Sequence, residues 1–154
     1  MRSTRTRKVA NEPLNLSALV EADPPDFDIK IVDKETGYGV FSRKHFEKGE
    51  PLFLYRGTKS VGSLDVMDDS YVFEFSHKGT IYCIDASKND KSLGRMVNDE
   101  NRTPNCLPKV VEVMGQPYVV FFALRTIHPG DELRYNYGSG NYPWRKKVVI
   151  FFIN

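Results

Sequence analysis

The sequence has little of what usually announces a small scaffolded or catalytic domain. It holds only two cysteines, Cys83 and Cys106, and three histidines, His45, His77 and His128, which do not cluster with the thiols. Structural zinc takes four Cys/His ligands at tight spacing, so no metal site is expected. Two thiols without a signal peptide exclude a disulfide scaffold and point to a reduced cytosolic or nuclear setting. Internal repeats and low-complexity tracts are missing. The apolar run VVIFFIN at the end is far too short to span a bilayer, so no membrane partner is expected. It reads as a final packed strand or as an exposed, aggregation-prone end. Net charge is only +2, so the chain as a whole does not read as a nucleic-acid binder. Gly37-Tyr38-Gly39 lacks the third glycine and the following helix of a dinucleotide loop, which excludes a nicotinamide site. No paired-carboxylate acid/base arrangement and no Ser-His-Asp order can be placed. Asp65, Asp68 and Asp69 read as a solvated acidic loop rather than a cation site.

What is present is an ordinary globular composition, 40% hydrophobic and 27% charged over 154 residues, which fits one domain with a real core. Residues 1–26 form a lead-in, expected to be partly disordered. It carries a basic arm (Arg2, Arg5, Arg7 and Lys8, with no acid among the first eight residues), a short helix over Asn15–Glu21 and a breaker at Pro24-Pro25. The arm reads as a solvated tail, or more sharply as a contact to phosphate or a nuclear import signal.

From Phe27 onward the pattern is mostly β. Asp28–Asp33, Gly39–Ser42, Pro51–Tyr55, Tyr71–Phe75, Thr80–Ile84, Val110–Met114 and Tyr118–Leu124 are short runs rich in β-branched and aromatic residues. Turn signals separate them at Lys48-Gly49, Lys78-Gly79, Gly115-Gln116 and Pro129-Gly130. Val61–Asp68 reads as one short helix. Short strands at close spacing predict a compact, mainly β domain with few short helices.

The stretch Glu132-Leu133-Arg134-Tyr135-Asn136-Tyr137-Gly138 stands out, because tyrosines two apart on an extended segment point to one side. Such a pair is packing at a strand end or a polar device within an aromatic pocket. It closes an ordered series: Gly37-Tyr38-Gly39-Val40, Leu54-Tyr55-Arg56-Gly57, Tyr71, Tyr82-Cys83-Ile84-Asp85-Ala86, Gly94-Arg95-Met96-Val97-Asn98, Ala123–Leu133 and finally Pro143-Trp144.

This series resembles the SET domain of protein lysine methyltransferases, within that family the branch that monomethylates lysine 20 of histone H4. The resemblance runs from about Asp28 to Lys147. It divides the chain into the lead-in, a SET domain over 27–147 and an apolar tail over 148–154. It implies a SET β-clip in which the segment containing Tyr135 threads beneath the loop after Asn98, forming a C-terminal pseudoknot. It implies S-adenosylmethionine as cofactor on one face and a target lysine entering from the other through an aromatic channel. Carried over by motif, Tyr38 and the main chain of Gly37–Gly39 line the methionine end. Tyr71, Asn98 and Asp99 hold the amino-acid and nucleoside parts, and Trp144 stacks on the adenine. Tyr55, Tyr135 and Tyr137 line the lysine channel, with Tyr137 beside the transferring methyl. Tyrosine at 135, where phenylalanine accompanies higher methylation, implies a monomethylated product. Arg95 is read as structural, pairing with a carboxylate.

The chain departs from the family at Asn98-Asp99-Glu100, where the pattern is Asn-His-Ser, and at Asn136, where aspartate is usual. The following loop is about one residue longer. Two readings therefore stand side by side: an active lysine methyltransferase, and a SET-like domain that has lost activity and serves as a histone or protein interaction module. A histone tail or another lysine-bearing protein is the expected partner, with nucleosomal DNA along the basic arm, a nuclear location and a monomeric state.

Overall fold

The computed structural model describes residues 16–62, 71–88, 91–138 and the backbone of 148–150. Three small sheets carry the chain, and their strands are placed by the alternation and turn chemistry of the sequence. The first sheet has the order β1-β2-β10-β7, with β1 at Phe27–Asp33, β2 at Gly37–Ser42, β7 at Asn98–Asp99 and β10 at Glu132–Tyr135. The second has the order β11-β5-β6-β4, with β4 at Thr58–Val61, β5 at Val72–His77, β6 at Thr80–Asp85 and β11 at Val148–Ile150. The third, β3-β9-β8, joins Pro51–Leu54, Gln116–Ala123 and Cys106–Val113.

Two hairpins show why local sequence suffices for part of this. Lys78 and Gly79 both take positive φ, 51° and 79°, and so do Met114 and Gly115, at 52° and 81°. Two such residues between His77↔Thr80 and between Val113↔Gln116 make the tight turn whose twist matches the flanking strands. The second turn lies one residue earlier than the expected Gly115-Gln116. Met114 occupies it because the tip is solvent: its side chain is 93% exposed and packs on nothing that would select another residue.

Inner faces of all three sheets meet in one core. Phe27 and Phe46 stack at 5.3 Å, Phe27 meets Phe53 edge-on at 4.8 Å, and Phe73, Phe75 and Phe121 are fully buried. Tyr55, Tyr135 and Tyr137 belong to this same cluster.

Several expectations need correction. Val61 does not open a helix: it ends β4, paired with Tyr82, and residues 63–70 lie outside the described region. β4 reads Thr-Lys-Ser-Val without apolar alternation because it is an edge strand whose side chains are exposed or half-buried. β8 begins at Cys106, four residues before the expected start. Of the two readings of VVIFFIN, the paired one holds for Val148–Ile150, which lie parallel to Val72–Glu74; residues 151–154 are outside the described region.

The lead-in contributes to the core. A helix over residues 16–21 seats Leu19 against Leu54 and Val120 in a second buried cluster. Its end is tied down by Arg56, whose Nη1 donates to Val20 O at 3.0 Å and whose Nη2 donates to Leu19 O. A cation on these last carbonyls satisfies groups that the helix leaves unpaired. Asp23 completes the clasp: Oδ1 accepts from Arg56 Nε at 2.8 Å and Oδ2 from the Leu93 N–H at 3.0 Å. Leu19→Ala should therefore cost about 2 kcal/mol in urea unfolding. A change below about 0.5 kcal/mol would mean that the helix only rests on the surface.

Candidate active site

The site is built where β10 is enclosed. On one side β10 pairs antiparallel with β2, Glu132 against Phe41 and Leu133 against Val40. On the other it pairs parallel with β7, Arg134 against Asn98 and Tyr135 against Asp99. The loop that follows β7 spans β10: Glu100 N–H donates to Tyr135 O at 3.0 Å, and Asn105 N–H returns to Arg134 O at 3.0 Å. Asn105 locks the crossing, its Oδ1 accepting Arg134 N–H at 2.9 Å and its Nδ2 donating to Glu132 O at 2.8 Å. The chain thus threads beneath this loop, and side chains on either side of the crossing cannot drift apart without opening it.

The two tyrosines of the threaded segment do share a side. Tyr135 and Tyr137 are 2% and 1% exposed, their ring centroids 4.7 Å apart. Tyr135 meets the edge of Phe121 at 5.0 Å, and Tyr55 leans on Phe73 at 5.1 Å. The Tyr137 hydroxyl donates to Val97 O at 2.7 Å, so its oxygen presents acceptor character to whatever lies beside it. Tyr55 directly follows the strand β3, and the short 3₁₀ turn Gly94–Met96 closes against it. An ideal Cβ on Gly94 would stand 2.7 Å from both Leu54 O and Tyr55 Cα, so glycine is what permits this approach. Burial pushes the phenols of Tyr135 and Tyr55 well above their ordinary pKa; Tyr137 and Tyr55 add to the effect at Tyr135, while at Tyr55 the nearby Arg95 opposes it and Asp85 and Tyr71 add to it. The arrangement is a dry aromatic cluster whose phenols stay neutral.

A second group of residues gathers on the β2 side of the knot. The Asn98 side chain donates to Tyr38 O at 3.0 Å and to Glu132 Oε2 at 2.8 Å, with the residue 5% exposed. Gly39 lies in this cradle: an ideal Cβ there would meet Glu132 Oε2 at 2.6 Å and Asn98 Nδ2 at 3.0 Å. Gly37, at φ 83°, faces open space, and Tyr38 beside it is 51% exposed. Bare glycine main chain, an oriented carboxamide and an uncovered aromatic ring suit a ligand that carries an amino-acid group and apolar parts. Tyr71 is held in a positive-φ conformation, 68°, which is rare for an aromatic residue. Arg95 stacks on its ring at 3.7 Å while Nη1 donates to Ala86 O and Ser87 O, and Tyr71 O accepts the Ala86 N–H at 2.8 Å. Arg95, expected to pair with a carboxylate, is held here by an aromatic face and two carbonyl oxygens. Trp144, expected to stack on adenine, lies outside the described residues.

The departures at 99 and 100 have structural counterparts. Asp99 Oδ1 accepts the Tyr137 N–H at 2.9 Å. Glu100 Oε2 accepts the N–H groups of Arg102 and Thr103, which hold its carboxyl below the usual range, and Oε1 meets Arg134 at 3.2 Å. The second acid therefore organises the spanning loop. Asn136, in place of aspartate, keeps the acceptor that the site uses, since its Oδ1 takes the Gly138 N–H at 2.8 Å. Glu132 and Gly94 stand in the motif series without an assigned role, and Asp23 stands outside it. Nothing in a single sequence marks a glutamate in a strand as the partner of an asparagine 34 residues away. Cys106, at the return of the loop, is fully buried with Sγ donating to Arg134 O at 3.4 Å, and burial pushes its thiol well up.

A threaded strand, a tyrosine cluster and a glycine-asparagine cradle on the adjoining face define one class of protein, and the sequence pattern of the SET domain matches residues 37–138. The chain belongs to the SET domain family. Among its relatives is the Caenorhabditis elegans histone-lysine N-methyltransferase set-1, 34% identical over 117 residues, a match covering 70% of this chain and 48% of that protein. The chain spans less than half of that relative's length. The crystal structure of CpSET8 from Cryptosporidium superposes with a TM-score of 0.64 at 26% identity, covering 75% of this chain and 58% of that one. A ctPRC2 structure in an autoinhibited conformation bound to S-adenosylmethionine superposes at 0.60 and 26% identity, over 76% of this chain and 15% of that one.

The neutral phenols give the site a pH signature. Folded, the chain keeps protons on Tyr55 and Tyr135 that the unfolded chain releases above about pH 10. Stability is full below that point and falls as pH rises through it. In an ultraviolet titration at least two of the eight tyrosines should ionise only as the fold is lost. Ionisation of all eight with the fold intact would contradict the dry cluster.

Proposed function

We propose that this domain is an S-adenosylmethionine-dependent protein-lysine N-methyltransferase that monomethylates a histone lysine, with lysine 20 of histone H4 as the target. The observation that carries this reading is the convergence of Tyr55, Tyr135 and Tyr137 in one buried cluster against the knot, with the Asn98–Gly39 cradle on its other side. The likeness to the Caenorhabditis elegans histone-lysine N-methyltransferase set-1 supports a histone-lysine substrate.

In this reading Gly37, Tyr38, Gly39, Tyr71, Asn98, Asp99 and Trp144 hold the cofactor, Asp99 through its main chain. When bound, S-adenosylmethionine supplies a methyl group on a positive sulfonium. The chain's own residues do the rest. A dry aromatic recess disfavours an ammonium, so the entering lysine loses its proton to solvent and offers a lone pair. Its walls fix the direction of approach, which contributes orientation rather than acid/base power. The Tyr137 hydroxyl, oriented by Val97 O, and nearby carbonyls place oxygen dipoles where positive charge passes. Tyr135, packed against Tyr137, would narrow the lysine channel and so disfavour an amine that already carries a methyl. The basic arm, Arg2, Arg5, Arg7 and Lys8, would add salt-dependent affinity for nucleosomal DNA, consistent with a nuclear monomer acting on chromatin.

The test is methyl incorporation from labelled S-adenosylmethionine into nucleosomes and free histones, with products resolved by mass spectrometry. Tyr137→Phe should lower the rate by about a hundredfold, the scale of losing one preorganised polar group. Tyr135→Phe should move product from monomethyl- to dimethyl-lysine; an unchanged monomethyl product would refute the role given to Tyr135. Deleting residues 1–8 should weaken nucleosome binding at low salt and leave peptide turnover alone. Silence of the unaltered chain with retained histone-peptide binding would favour the interaction module instead.

A further inference from the structure

Residue 99 is where the chain leaves its family's pattern, and its side chain has a place in the site that the main-chain cofactor role does not use. Asp99 closes β7, opposite Tyr135 in the parallel ladder. β10 ends at Tyr135, so from Asn136 onward the ladder no longer supplies partners. Asp99 Oδ1 takes over, accepting the Tyr137 N–H at 2.9 Å. The next peptide along, Glu100 N–H, donates to Tyr135 O at 3.0 Å. One short stretch thus holds the main chain at both tyrosines, and at Tyr137 it does so through a carboxylate rather than a peptide carbonyl. The far end of that side chain is anchored separately, by the hydroxyl donating to Val97 O at 2.7 Å. Val97 itself directly precedes β7. Backbone and hydroxyl of Tyr137 are therefore referenced to the same three residues, Val97, Asn98 and Asp99. A hydrogen bond to an ionised acceptor is shorter and stronger than one between neutral groups, which suits a carboxylate to this position. The Asp99 charge is also among the influences that keep the Tyr135 phenol protonated.

We infer that Asp99 is a positioning residue: its carboxylate, acting on the Tyr137 N–H, sets where the Tyr137 hydroxyl stands in the recess, and does not serve as a cofactor contact. This rests on the methyltransferase reading for its consequence in turnover, while the anchoring itself can be measured without turnover.

The experiment compares the full chain with Asp99→Ala and Asp99→Asn. At saturating S-adenosylmethionine and histone substrate, Asp99→Ala should lose about tenfold or more in kcat, the scale of a displaced reacting group, with KM for the cofactor within about twofold. Asp99→Asn keeps an acceptor oxygen in reach and should recover most of the loss, which a merely structural aspartate would not require. Main-chain amide exchange, read by NMR, should quicken about tenfold at Tyr137 in Asp99→Ala while Leu133 in the ladder stays protected. A raised cofactor KM with unchanged kcat would overturn the inference, as would unchanged exchange at Tyr137. Quickened exchange in a chain without methyl transfer would leave the anchor standing and defeat the enzyme reading instead. Should Asp99→Ala not fold, Asp99→Glu, which keeps the charge but displaces the carboxylate by one methylene, makes the same comparison.

Discussion

Everything about the site depends on β10 being held from both sides. Four residues have no strength as a strand, and two-residue β7 has less. Their stability comes from being sandwiched: β2 on one flank, β7 and the returning Asn105 on the other. Once the loop from Glu100 to Asn105 lies across the strand, neither flank can leave without the other. The tyrosines inherit this constraint. A side chain whose position must be fixed to about 0.5 Å is better carried by a topologically trapped segment than by a free loop.

Local chemistry made part of the fold legible. Lys78-Gly79 announces a hairpin because two positive-φ residues between apolar strands leave few other options, and the aromatic runs of β3, β5, β6 and β9 read as strands for the same reason that they are buried. β4 was missed because an edge strand with exposed or half-buried side chains shows no apolar period, and its last residue, Val61, then read as the start of a helix. β7 was invisible because its pairing is with a segment 36 residues later, and a two-residue strand has no pattern of its own.

Among the site residues, the tyrosines were legible from spacing and from the resemblance together. What sequence could not supply was their support. The clasp of Asp23 on Arg56 and Leu93 joins residues 33 and 70 positions apart. The hold of Glu132 on Asn98 exists only because β10 and β7 are brought together by the knot. Asp99 and Glu100 stand in the sequence only as departures from the family pattern; in the fold, each carboxylate accepts main-chain N–H groups at the knot.

The burial of Cys106 at the return of the spanning loop has a chemical consequence. A thiol held protonated in an apolar setting, with its hydrogen directed at Arg134 O, is a poor nucleophile and a poor target for oxidants. Cys83, on β6, is buried as well. Neither thiol is therefore presented to solvent while the domain is folded, and peroxide or electrophile stress reaches Cys106 through molecules whose knot has come undone. Oxidation at that position would mark an opened chain and bar it from rethreading, turning a passing loss of structure into a permanent one.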